Sequence, residues 1–202
     1  MIEIIENIKS INNEDTIKIK NDKSIYSENF YFEDIYSSSR VNRFIKSVER
    51  MIRNSDEYKE YIGYLHSSSN FFNKDNVLSN ITQDVAEIEI HHYPISLYDL
   101  VDIILTKNIS IKQKVTSFDI SREIMELHAK NMVGLIPLCT TNHELAHANM
   151  LGISKDQIFG DYNKFVKENE KYIRKDLLSK IERLNNGTVT LKFDELINND
   201  GN

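Results

Sequence analysis

The stretch "VGLIPLCTTNHELAH" (133–147) decides how the chain folds. It opens on a short apolar run, 133–139, bounded by Gly134 and too short for a helix, which predicts a strand. A helical pattern follows two threonines, so Thr140 or Thr141 is the expected cap. His143 and His147 are four residues apart on that helix. This spacing sets two imidazoles on one face, with Cβ atoms about 6 Å apart, where they can ligate one ion.

A second strand is expected upstream, in "VAEIEIHHYP" (85–94), ended by Pro94. It closes on His91-His92. Adjacent strand residues face opposite sides, so one imidazole can turn toward an ion while the other reaches the substrate side. Glu89 shares the face of His91 and is a candidate partner for it. Two helices fall between the strands: "LYDLVDIILTK" (97–107), capped by Ser96, and "FDISREIMELHAK" (118–130), capped by Ser117.

The order strand, His-His, strand, capped helix, His-x3-His resembles the HNH or His-Me finger (ββα-metal) nucleases, above all the nuclease domains of colicins. "HHYPI" is similar to the family's His-His followed closely by proline and an apolar residue. "GLIPLCTTNHELAH" has the length and apolar pattern of its second strand and helix. The resemblance covers roughly residues 86–150 and extends to phage-encoded proteins of this kind. It implies that His91, His143 and His147 hold one divalent cation and that His92 is the general base. It also implies hydrolysis of phosphodiester bonds in DNA, with Mg²⁺ or Mn²⁺ supporting turnover. Three imidazoles favour Zn²⁺, Ni²⁺ or Co²⁺ in binding strength, so Zn²⁺ or Ni²⁺ is the ion expected on the purified protein. Where the family has Asn at the start of its second strand, this chain has Gly134, with Asn131 nearby.

His143-Glu144-Leu145-Ala146-His147 also matches the H-E-x-x-H of zinc proteases, with Glu144 as base. That reading needs a further ligand downstream, for which Glu168 or Glu170 would serve, and it leaves His91-His92 without a role. A third reading is a non-catalytic, metal-stabilised binding protein.

Composition bounds these readings. Of 202 residues, 40% are hydrophobic and 28% charged, with only 6 Gly and 2 Pro, which predicts a mostly helical α+β chain. The formal charge of −6 excludes a uniformly basic nucleic-acid binder but allows a local basic face. Cys139 is the only cysteine, so neither an internal disulfide nor a cysteine zinc knuckle is available; a buried small hydrophobe is its expected role. No apolar run is long enough to span a membrane, and the acidic start "MIEIIENIKS" does not read as a signal peptide; a cytoplasmic protein is expected.

Outside the finger, Ser38 or Ser39 is the expected cap of a helix whose apolar residues fall at 41, 44, 45, 48, 51 and 52. Arg40, Arg43, Lys46, Arg50 and Arg53 line the opposite face, a candidate phosphate-docking ridge. A further helix starts at Asn54-Ser55 and runs through Leu65, and 66–76 reads as a loop. His66 and His128 read as surface or core fillers. The expected organisation is an N-terminal segment with short strands (1–38), the helical region with the basic stripe (39–80), the finger core (85–150) with its helical insertion (96–131), and a C-terminal part (151–202). Short strands are expected at "TIKIK" (16–20) and "TVTLKF" (188–193), and one long charged helix at about 161–184, ended by "NNG".

Overall fold

A computed structural model describes residues 27–78 and 80–187. The strands expected at 16–20 and 188–193 lie outside the described residues. The fold is α+β and mostly helical. Its strands are β1 (Asn29–Tyr31), β2 (Ile88–His92), β3 (Lys114–Thr116) and β4 (Leu135–Cys139). Its helices are α1 (Ser38–Asn54), α2 (Asp56–Ser68), α3 (Leu97–Ile109), α4 (Ser117–Ala129), α5 (Thr140–His147), α6 (Tyr162–Asn169) and α7 (Lys175–Asn185). Among the described residues, two antiparallel two-stranded sheets form, β1 with β3 and β2 with β4.

The chain divides into two compact units. The helical unit takes the described residues up to Ile62, with Leu97–Met132 and Tyr162–Tyr172. The finger unit takes Gly63–Ser96, Val133–Asp161 and the described residues from Ile173. The helices between the two finger strands thus belong to the helical unit.

The helical unit is built on α1, α3 and α4. The buried residues of α1 are Phe44, Ile45, Val48, Met51 and Ile52, spaced at three and four as a core-facing stripe requires. Ser37 caps this helix, its hydroxyl accepting from the Arg40 amide, one residue before the expected pair. Thr116, not Ser117, caps α4. Asp119 lies three residues after Thr116 and closes a reciprocal capping box with it. Ser117 is buried instead and accepts from the Glu28 amide.

In the finger unit β2 and β4 pair antiparallel, with His91 opposite Ile136 and His92 opposite Leu135. All five residues of β4 are buried. Pro137 removes a donor from the middle of the strand, on the side away from β2, where β4 pairs with Phe159 through the single bridge at Leu135; its own carbonyl accepts from the Asn76 amide. Ile136, Leu138 and Ile153 form the small core here, packed by Val77, Tyr93, Ala146, Leu151 and Ile158. The segment read as a loop at 66–76 holds the last turn of α2 and a 3₁₀ turn, Asn70–Asn73.

The single helix expected at about 161–184 is two helices. α6 ends at Asn169, a 3₁₀ turn spans Glu170–Tyr172, and Arg174 is extended before α7 begins. The Asn169 amide bonds back to the Phe165 carbonyl, a side-chain alternative to continuing the helix ladder.

Candidate metal centre

β2, β4 and α5 form one strand–strand–helix element. Because strand residues alternate faces, Glu89 and His91 share a side of β2, and α5 brings His143 and His147 to that side. The donor atoms of His91, His143 and His147 all lie within 4.8 Å of one another. Ring centroids are 5.0 Å apart for His91 and His143, 4.8 Å for His91 and His147, and 4.6 Å for His143 and His147. The Nε2 atoms of His143 and His147 are 3.2 Å apart. Two nitrogens held at about 2.1 Å from one tetrahedral ion stand about 3.4 Å apart, so the spacing suits shared ligation.

Glu89 sits in this group, with a different partner from the one its strand face implied. Its Oε2 is 2.6 Å from His143 Nδ1, and Thr140 donates to its Oε1 at 3.5 Å. A carboxylate on Nδ1 fixes the tautomer and leaves Nε2 as the lone-pair donor toward the other two rings. His91 is 9% exposed, His143 half-buried and His147 exposed, so the group is open on the His147 side.

His92 follows His91 on β2, and strand alternation directs it to the other face, where it is 5% exposed. It is not among the converging donors. Glu144 is exposed on α5. Glu168 and Glu170 belong to the helical unit and are not among the converging donors either.

The start of α5 departs from the expected threonine cap. Cys139 is the N-cap residue and makes no side-chain capping bond. Asp75, fully buried, supplies the acceptor instead. Its Oδ2 accepts from the Cys139 amide at 2.7 Å and from Asn142 Nδ2 at 2.9 Å. Its Oδ1 accepts from the amides of Val77 and Leu78 at 2.7 and 2.6 Å. Burial works to raise the Asp75 pKa, but the bonds from Leu78, Cys139 and Asn142 outweigh it and hold the carboxyl below the usual aspartate value. No feature of the sequence near Asp75 marks it, because its partners at α5 lie 64 and 67 residues away. Cys139 is buried, as its apolar strand required.

Gly134, which stands where the resembling nucleases have Asn, has a local reason. Its carbonyl accepts from the Tyr93 amide at 3.0 Å, and a Cβ there would fall 2.1 Å from the Tyr93 carbonyl oxygen. The backbones meet too closely for any side chain, and this direct bond ties the end of β2 to the start of β4.

In the helical unit, Arg43, Lys46, Arg50 and Arg53 are exposed along α1 and make no ion pair among the described residues. Arg40 does not join them. Its guanidinium pairs with Glu28 and Asp34, donates to the Asn29 carbonyl and lies over the rings of Phe30 and Phe44.

These features define an α+β protein with a three-imidazole cluster on a strand–strand–helix finger. The chain belongs to the bacteriophage G278-like virion protein family, whose family model matches residues 1–200. No curated protein and no solved structure matches it. The family is consistent with the phage-encoded proteins to which the sequence resemblance extends, and carries nothing on nuclease chemistry. Among the described residues, no helix is long and apolar enough to cross a membrane.

Proposed function

We propose that this virion protein is a divalent-metal-dependent endonuclease that hydrolyses phosphodiester bonds in DNA, acting in the host cytoplasm. The supporting observation is a centre that, among the described residues, has three protein donors and an exposed side at His147. Structural zinc sites are closed by four protein ligands, whereas catalytic sites keep a position open. His91, His143 and His147 would hold the ion, with Glu89 orienting His143. A divalent ion held there would bind the scissile phosphate, stabilise its developing charge and help the 3′ oxygen leave. Neutral His92 would accept the proton of the attacking water, the general-base task that imidazole most often performs. In the helical unit, Arg43, Lys46, Arg50 and Arg53 would contact DNA phosphates, without Arg40.

One observation favours a second reading. His92 is 5% exposed, which restricts its access to water and suits a metal-stabilised finger that binds without cutting. The protease reading has less support. α5 is only eight residues long, and its histidines converge with a histidine from an upstream strand rather than with Glu168 or Glu170.

Plasmid nicking in Mg²⁺ and Mn²⁺, with metal content measured on each sample, separates the readings. His92→Ala is expected to keep the ion and lose cleavage by about 10²–10⁴-fold. Glu144→Gln is expected to keep substantial cleavage. A wild-type protein that binds metal but nicks no plasmid leaves the non-catalytic reading. A dead Glu144→Gln beside a fully active His92→Ala reverses the assignment of the base.

A further inference from the structure

We infer that Asp75 is a positioning residue for the metal centre, setting the helix that carries two of its three ligands; this rests on the metal-binding reading above. Four short bonds converge on one buried carboxylate, two on each oxygen. One oxygen gathers the 75–78 turn, and the other holds the amide of Cys139 and the side chain of Asn142. Those two residues are the last of β4 and the third of α5. His143 is the next residue, and His147 is one turn further. α5 has no side-chain cap of its own, so the carboxylate fixes where the helix leaves the strand. His91 stands on the partner strand, and its distance to both helix imidazoles depends on that exit angle.

The turn bearing Asp75 is anchored independently. Its own amide donates to the Ile81 carbonyl at 2.8 Å, and the Asn76 amide to the Pro137 carbonyl at 3.0 Å. Asn76 and Gln157 exchange side-chain-to-carbonyl bonds at 2.7 and 3.0 Å. The carboxylate therefore acts from a fixed base on the ligand helix.

All four partners of Asp75 are donors, so the position requires an acceptor on both oxygens. Asparagine has the same shape but only one acceptor oxygen. Either orientation of its amide turns an NH₂ against two donors, at the turn or at α5. Asp75→Asn therefore loosens the helix start without removing volume. Groups that orient metal ligands typically change metal affinity by about 10–100-fold when altered, and this range is expected for Asp75→Asn.

The test is Co²⁺ titration of the full chain, reading both the dissociation constant and the visible d–d spectrum, with circular dichroism and thermal unfolding alongside. Wild type is expected to bind about one Co²⁺ per chain. Asp75→Asn is expected to bind about 10–100-fold more weakly, with a shifted spectrum. Ile120→Ala opens a cavity in the helical unit and should lower the melting temperature while leaving Co²⁺ affinity and spectrum unchanged. Asn142→Ala removes one of the four bonds and should shift the spectrum in the same sense by less; it decides the matter if Asp75→Asn does not fold. If these variants lose thermal stability but keep wild-type Co²⁺ affinity and spectrum, Asp75 is only structural and the inference fails. If wild type itself takes up no Co²⁺, the metal-binding reading fails, and the inference with it.

Discussion

The two units of this chain use histidine in opposite ways. In the helical unit His128 is alone and fully buried, its Nδ1 2.8 Å from the Ile124 carbonyl and its ring edge-on to Tyr58 and Tyr61. Burial pushes its pKa down to about 4, against the smaller opposing effect of the Ile124 bond, so it packs as a neutral core residue. In the finger unit three imidazoles face one another, one of them backed by a carboxylate. Neutral rings that present lone pairs to a common point gain little from each other; a cation between them changes that sign. Burial alone therefore does not mark a functional histidine here. Convergence with an oriented tautomer does.

The comparison is broken most directly by removing the convergence. His143→Ala and His147→Ala are expected to abolish binding of the divalent ion. An ion at a thousand times its dissociation constant adds about 4 kcal/mol to a folded state that alone binds it. Zn²⁺ should therefore raise the unfolding midpoint of wild type and of a helical-unit variant, but not of either histidine variant. Equal metal content in wild type and both variants, measured by elemental analysis, would falsify the ligand assignment.

The next effect belongs to His128. Its folded pKa, about 4, lies below its ordinary value near 6.5, so the unfolded chain binds the extra proton first as pH falls. The stability that His128 contributes by staying neutral is complete above pH 6.5 and drains away as pH drops toward 4. The loss is on the order of 3 kcal/mol. Denaturant unfolding between pH 7 and 4, in chelator, should show this slope in wild type and a flatter one in His128→Phe. Identical slopes would mean that the buried ring does not titrate as its surroundings require.

Gly134→Ala should come third. The added methyl meets the Tyr93 carbonyl oxygen, so β2 and β4 must separate at their tied ends. Overpacking of this kind costs about 1–3 kcal/mol, and here the cost falls on the finger, so Co²⁺ affinity should fall along with the melting temperature. A variant as stable and as avid as wild type would show that the close approach is dispensable.

What the sequence made legible follows from range. The stripe on α1, the β4–α5 junction and the pairing of His143 with His147 are local periodicities, and the fold carries them. The cap of α4 was ambiguous: Ser117, the expected cap, is as good a residue type as Thr116, and only Asp119, three residues after Thr116, marks the capping box. The break after Asn169 was hidden because buried Tyr162, Phe165, Asn169, Ile173, Leu177, Ile181 and Leu184 keep helical spacing straight through it. Asp75 was invisible because nothing local distinguishes it from any loop aspartate. Glu89 was placed on the correct face, but which imidazole it meets depends on how α5 packs, and no spacing encodes that.

The smallest effect separates two arginines that the sequence put on one ridge. Arg40 is held by Glu28, Asp34 and the Asn29 carbonyl and covers two phenylalanine rings, so its cation is already spent inside the helical unit. Arg43 stands exposed three residues later on the same helix. Arg40→Ala should therefore cost about 1 kcal/mol of stability and leave the salt dependence of DNA binding alone. Arg43→Ala should do the reverse. It should leave the melting temperature unchanged and reduce the slope of log K against log salt by about 0.9, the value for one lost phosphate contact on duplex DNA. The measurement is fluorescence-anisotropy binding of a short duplex across salt concentrations, with both variants melted in parallel. Matching slopes for wild type and Arg43→Ala would remove the ridge from the DNA contact surface. A reduced slope for Arg40→Ala would mean that its ion pairs open when DNA arrives.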